Sequence, residues 1–364
     1  MSDQPRSRLR RARDRVAWGA VLLSFPVWCF AFVAPFLPLE PAQKATLAAA
    51  CIAAGEALFW GAGVFLGADV VAKFAPRRGG KHSAWWRRPR VTTGESFRGK
   101  RVVVIGASGG LGSAVAAAVA REGGSLVVIG RDPTKLASLP PSWAAQTIVA
   151  DVSPSSLQQA ASQVGEVDHV VCATGVDVRR SLDGHSDEDV AMQLSVALEG
   201  PIHVARAFLS RLRPGGTIAL FGGFADGTLA LPYYSVDVAA RAGLAGFCAS
   251  VNHELAVEGR SVRLSYVCPA PADTDAERPF RELWRSMGTT MVSPARVADF
   301  VLEALIQQRT VAVMGYSTRV LVSLRALAPS LIDAIIRRRV GPLLRRSFST
   351  TAPPGSSIGI RHSS

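Results

Sequence analysis

Cysteine is scarce in this chain of 364 residues. There are five (Cys29, Cys51, Cys172, Cys248 and Cys268), none in a CxxC pair and all in apolar runs. This excludes a disulfide framework and reads as reduced, structural thiols in a cytoplasmic setting. The six histidines, His82, His169, His185, His203, His253 and His362, show no metal-ligand spacing, so no metal site is expected. Acidic residues are also short, with 28 Asp+Glu against 41 Lys+Arg and a formal charge of +13. Hydrophobic residues make up 48 % of the chain and the mean hydropathy is +0.22, which excludes a disordered chain. That combination leaves a nucleic-acid binder or a membrane protein with basic flanks.

The position of the charge separates the two. Residues 1–100 hold 16 basic and 6 acidic side chains, residues 101–316 hold 17 and 21, and residues 317–364 hold 8 and 1. A nucleic-acid-binding domain carries its basic patch on the folded body. Here the body is mildly acidic, so no nucleic-acid partner is expected.

Charge is absent altogether from Val16 to Leu39, a run long enough to span a bilayer and too long for a signal peptide. After the turn Pro38-Leu39-Glu40-Pro41, a second apolar run from Ala45 to Ala68 is broken only by Glu56. Glu56 reads either as a protonated carboxyl packed against the first helix or as a proton or ligand site. Arg6 to Arg15 precede the first run and Lys73 to Arg90 follow the second, which places both ends on the cytoplasmic side. The expectation is a transmembrane hairpin (1–73) in the plasma or inner membrane, followed by a basic linker (74–99). Gly55-Glu56-Ala57-Leu58-Phe59-Trp60 and Leu66 to Lys73 resemble the two-helix transporter suffix domain of bacterial membrane proteins.

From Arg101 the pattern alternates between strand and helix. The β-branched run Arg101–Ile105 leads into Gly106-Ala107-Ser108-Gly109-Gly110-Leu111-Gly112 and then an Ala/Val-rich helix. Such a loop lets the backbone approach a pyrophosphate, and the helix N-terminus supplies N–H groups and partial positive charge. Further strands are expected at Leu126–Ile129, Thr147–Ala150, His169–Cys172, Thr217–Phe221, Val262–Val267 and Val311–Met314, so the fold class is α/β with a Rossmann-like doubly wound parallel sheet. NAD sites place a carboxylate after the second strand. This chain has Gly130-Arg131, and a guanidinium there pairs with a 2′-phosphate, which favours NADP(H).

Residues 99–316 resemble the short-chain dehydrogenase/reductase family. Gly106, Gly110 and Gly112 match its glycine motif and Asp151-Val152 its adenine contact. Cys172-Ala173-Thr174-Gly175 stands where the family has Asn-Asn-Ala-Gly, and Pro269 to Thr274 match its Pro-Gly-Pro-x-x-Thr turn, whose threonine touches the nicotinamide amide. The resemblance implies cofactor contacts at Gly106, Ser108, Gly110, Leu111, Gly112, Arg131, Asp151, Val152, Thr174, Gly175 and Thr274. It also implies a homo-oligomer and a catalytic Tyr234 at the head of Tyr-x-x-x-Lys. The family's lysine lowers the tyrosine pKa, its serine orients the substrate oxygen and its asparagine supports a proton relay. Those three positions fall on Val238, Gly223 and Ala197. Asp226, Asp237, His185 and Tyr233 are candidate replacements.

Without a neighbouring cation Tyr234 should stay protonated, which suits reduction better than oxidation. Phe280, Leu283, Trp284 and Met287, in the loop Ala276–Thr290, suggest a lipophilic carbonyl substrate. Arg319 to Phe348 reads as a basic amphipathic segment, suited either to a membrane interface or to packing on its own domain, and residues 349–364 read as disordered. The expectation is a membrane-held NADP(H)-dependent reductase. The alternatives are a catalytically silent NADP(H) sensor or scaffold, and a transporter accessory working through the hairpin.

Overall fold

A computed structural model gives the fold. It describes residues 19–20, 22–31, 33–34, 40–74, 96–224 and 227–349. The chain divides into two compact units, Met1–Arg88 and Pro89–Ser364.

In the first unit, residues 22–31 are helical and Pro41–Phe74 forms one helix of 34 residues. Proline suits a first helical turn, where its missing N–H leaves no hydrogen bond unmade. A Cβ on Gly55 would stand 2.3 Å from Trp28 Cδ1, so the glycine lets the second helix approach the first. Glu56 is exposed, so it is not packed against the first helix as one reading had it. Among the described residues no helix is long and apolar enough to cross a membrane. The arginines at 6–15, the turn at Pro38 and the linker arginines at 77–90 lie outside the described residues.

The second unit is built on a seven-stranded parallel sheet in the order β3-β2-β1-β4-β5-β6-β7. The strands are β1 (Arg101–Ile105), β2 (Ser125–Gly130), β3 (Ala144–Val149), β4 (Val167–Cys172), β5 (Leu212–Phe221), β6 (Arg263–Cys268) and β7 (Val311–Val313). Every strand expected from the sequence forms. Val, Ile, Leu and Ala dominate the central strands because helices cover both faces, giving one apolar core on each side. The strand order reverses between β1 and β4, the kind of switch point at which such sheets bind ligands.

The folded body begins before the expected boundary. Phe97 is buried, and its N–H donates to the Glu122 carbonyl at 3.2 Å, so residues 96–99 belong to the sheet unit and not to the linker. At the other end, Tyr316–Leu327, Pro329–Ile335 and Gly341–Phe348 are helices. Ile332 and Ile336 are buried with Leu229 against Phe224, Leu231 and Leu321, so this segment packs on its own domain. Tyr316, Val320, Leu324, Leu331 and Ile335 of the same helices stay exposed. Residues 350–364, expected to be disordered, lie outside the described residues.

Candidate active site

The glycine loop is set by backbone crowding. Gly106 takes φ +79°, and a Cβ on Gly112 would stand 2.0 Å from the Gly106 carbonyl oxygen, so neither position accepts a side chain without a shift. A Cβ on Gly110 would stand 2.7 Å from Thr274 Cγ2, and one on Gly106 3.2 Å from Thr174 Cγ2. The loop after β1 thus meets the loops after β4 and β6. Helix Gly110–Arg121, which carries Leu111 and Gly112, has no acidic residue in its first turn and no side-chain cap. A dinucleotide pyrophosphate fits such a cradle.

At the end of β2, Arg131 is exposed and has no ion-pair partner among the described residues. Asp132 is occupied. One of its carboxylate oxygens accepts from the Thr134 N–H (2.9 Å), the Lys135 N–H (3.1 Å) and the Thr134 hydroxyl (2.6 Å), capping a short helix. Those bonds hold its carboxyl below the ordinary value. Ser108 turns toward the same place, 3.4 Å from where a Gly130 Cβ would be. Asp151 is exposed at the end of β3, its carboxylate accepting from the Val152 N–H at 2.7 Å, and Gly175 is exposed after β4.

Tyr234 opens helix Ser235–Val257 and is 6 % exposed, with no hydrogen-bond partner for its hydroxyl among the described residues. Tyr233 before it takes φ +68°, a left-handed conformation that is strained for a side chain of that size. Burial raises the Tyr234 pKa well above that of a free phenol, with Arg179 opposing. The Arg179 guanidinium lies 5.2 Å from the Tyr234 ring centroid and 4.4 Å from that of Phe280.

Three of the family's four positions are apolar, and one is physically filled. A Cβ on Gly223 would stand 2.5 Å from Arg241 Cδ, so Arg241 takes the space that a serine would need. Ala197 is buried in a π-helical turn, Ser195–Glu199. Among the candidate replacements, His185 sets Nδ1 and Nε2 at 3.0 and 3.4 Å from the Ser181 and Val178 carbonyls, within its own turn. Asp226 lies outside the described residues.

The sequence reading missed a buried ionic network. Arg241 Nε donates to Asp237 (2.8 Å) and its Nη2 to Asp177 (3.1 Å). Arg179 Nη2 donates to Asp177 (3.0 Å) and to Glu277, whose other oxygen accepts from Trp284 Nε1 at 2.8 Å. Burial acts against the charge on Asp177, but Arg241 and Arg179 hold it low. Burial and the neighbouring Asp177 push Asp237 up to about 7. The i,i+4 spacing of Asp237 and Arg241 was the one readable signal. The loop Ala276–Thr290 is largely helical and folds over this network. Phe348, from the last helix, sets its ring 6.0 Å from Tyr234 and 5.6 Å from Phe280. Among the described residues no cluster of three or more His, Cys, Asp or Glu could hold a metal.

Fold and site define a dinucleotide-binding α/β protein with a tyrosine beside its cradle. The family model for short chain dehydrogenase matches residues 100–283, and the chain belongs to that family of oxidoreductases. It is 24 % identical over 260 residues to a ketoacyl reductase of Nostoc sp., covering 66 % of this chain and 90 % of that protein. It is 29 % identical over 201 residues to a 3-dehydrosphinganine reductase of Arabidopsis thaliana, covering 52 % and 59 %. A short-chain dehydrogenase/reductase of Burkholderia phymatum, solved with NAD, matches the fold at TM-score 0.57 and 24 % identity over 65 % of this chain and 95 % of that one. One of Burkholderia cenocepacia, solved with NADP, matches at 0.57 and 22 %, covering 66 % and 98 %.

Proposed function

We propose that this chain is a membrane-anchored NADP(H)-dependent reductase of a lipophilic carbonyl compound, with Tyr234 as the proton donor. The observation that carries the proposal is continuity from cradle to tyrosine. Thr274 abuts Gly110, its carbonyl accepts the Glu277 N–H at 3.1 Å, and the Glu277 carboxylate grips Arg179 over Tyr234. Gly106, Gly110, Leu111 and Gly112 would hold the pyrophosphate, with Asp151 and Val152 toward the adenine. Thr174, Gly175 and Thr274 would hold the nicotinamide side. Arg131 and the Ser108 hydroxyl would take the 2′-phosphate, which the capped Asp132 does not oppose. The cofactor, when bound, supplies the hydride. Tyr234 gives its proton to the carbonyl oxygen, and its raised pKa favours this direction over alcohol oxidation. Relatives named as ketoacyl and 3-dehydrosphinganine reductases support the same direction. Phe280, Trp284 and Phe348 give the substrate an apolar surround.

Membrane anchoring, with the reductase unit on the cytoplasmic side of a plasma or inner membrane, is supported by the charge-free run Val16–Leu39 and the arginines on either side of the hairpin. The exposed Val320, Leu324, Leu331 and Ile335 beside Arg337, Arg338 and Arg339 add to that support. A second reading, a catalytically silent NADP(H)-binding sensor or scaffold, is favoured by one observation: Arg241 excludes the serine from position 223. Calorimetry with NADPH and NADH, followed by NADPH oxidation with a panel of lipophilic carbonyls, separates the two. Tight NADPH binding with turnover supports the reductase, binding without turnover supports the sensor, and no binding of either nucleotide contradicts both.

A further inference from the structure

The two arginines of the network differ in what their nitrogens do. Arg241 is fully engaged, with Nε on Asp237 (2.8 Å), Nη2 on Asp177 (3.1 Å) and Nη1 on the Phe221 carbonyl (3.4 Å). Arg179, with its side chain 5 % exposed, uses only Nη2; its Nε and Nη1 are buried with no partner among the described residues. A buried charged donor left unmatched is costly, so such a group persists where it does something else. The loop carrying Arg179 is pinned on both sides. The Val178 N–H donates to Gln193 Oε1 at 3.2 Å, and the Arg180 N–H donates to the Tyr233 carbonyl at 3.1 Å. Gln193 is fully buried one helical turn before Ala197, where the family's asparagine would stand. The guanidinium is thereby fixed over the Tyr234 ring.

We infer that Arg179 is a positioning residue that replaces the missing lysine from another element, by stabilising the phenolate left on Tyr234 when its proton passes to the substrate oxygen. The inference rests on Tyr234 as the donor. In the step, hydride goes to the carbonyl carbon, the Tyr234 proton goes to the carbonyl oxygen, and the phenolate then regains a proton from water. A phenolate spreads its charge into the ring, so a cation over the ring face acts on it directly. The charged groups facing Tyr234 are Arg179, Glu277, Asp177 and Asp237. The three carboxyls oppose its ionisation, and Arg179 alone among them favours it.

The test places a ring-fluorinated tyrosine at position 234 of the full-length chain, which ionises at lower pH than tyrosine, and titrates its absorbance. Arg179→Gln should move that ionisation up by about one pH unit or more, equivalent to about 1.4 kcal/mol. Arg179→Lys should recover part of the shift. Arg179→Met, of similar length and without the charge, should give the same upward move and serves where Arg179→Gln does not fold. Superimposable curves for the parent and for Arg179→Gln, or for the parent and Arg179→Met, would overturn the inference. NADPH oxidation by Tyr234→Phe is a separate measurement: a parental rate there removes Tyr234 as donor and leaves the titration result standing.

Discussion

At the residue scale, the glycine loop is the firmest feature. Gly112→Ala places a methyl against the Gly106 carbonyl, and the backbone must move to admit it. We expect a cost of about 1–3 kcal/mol and at least a tenfold loss of NADPH affinity by calorimetry. Arg131→Glu should weaken NADPH binding about tenfold or more and leave NADH unchanged, because a charge-assisted pair to the 2′-phosphate contributes about 1.5–3 kcal/mol. Asp237 gives a pH signature. Its folded pKa is raised above its unfolded value, so its contribution to stability is complete below about pH 4 and is lost as pH rises through about 7. His169, lowered to about 4 by burial, has the opposite slope over part of that range. The parent is therefore compared with Asp237→Asn: between pH 5 and 7 the parent should lose stability relative to the variant by up to about 1.4 kcal/mol per unit. The glycines, Arg131 and Tyr234 could be proposed from the sequence because each sits at a fixed offset from a strand or helix start. Arg179 was not, since its partner Glu277 is 98 positions away and only the folded chain joins them.

At the element scale, the strands could be read from short apolar, largely β-branched runs, because helices cover both faces of the sheet and bury most positions of its central strands; the edge strands β3 and β7 are only partly buried. The end of the chain was legible only as amphipathic. What decides its place is Leu229, which with Phe224 and Leu231 forms the apolar seat for Ile332 and Ile336, and nothing in the helices themselves announces that seat. Leu344 is fully buried in the last helix. Leu344→Ala should cost about 2–5 kcal/mol, read as faster hydrogen exchange across 341–348 with β1 and β4 unaffected. Because Phe348 stands against Tyr234 and Phe280, Phe348→Ala should change KM for bulky carbonyl substrates more than the affinity for NADPH.

At the scale of the whole molecule, the charge map holds the two halves of the account together. A mildly acidic nucleotide-binding body stands between two basic ends, which is the pattern expected of a reductase held at an anionic surface. The proposed chemistry is that one tyrosine, with an arginine over its ring, reduces a carbonyl without the usual lysine, serine and asparagine. The most direct test is NADPH oxidation, followed by absorbance, in the purified full-length chain and in Tyr234→Phe, with a neutral lipophilic ketone. Measurable turnover by the parent is expected, with a fall of about 10²–10⁴-fold in the variant and NADPH binding retained. Equal turnover by the two proteins would contradict it.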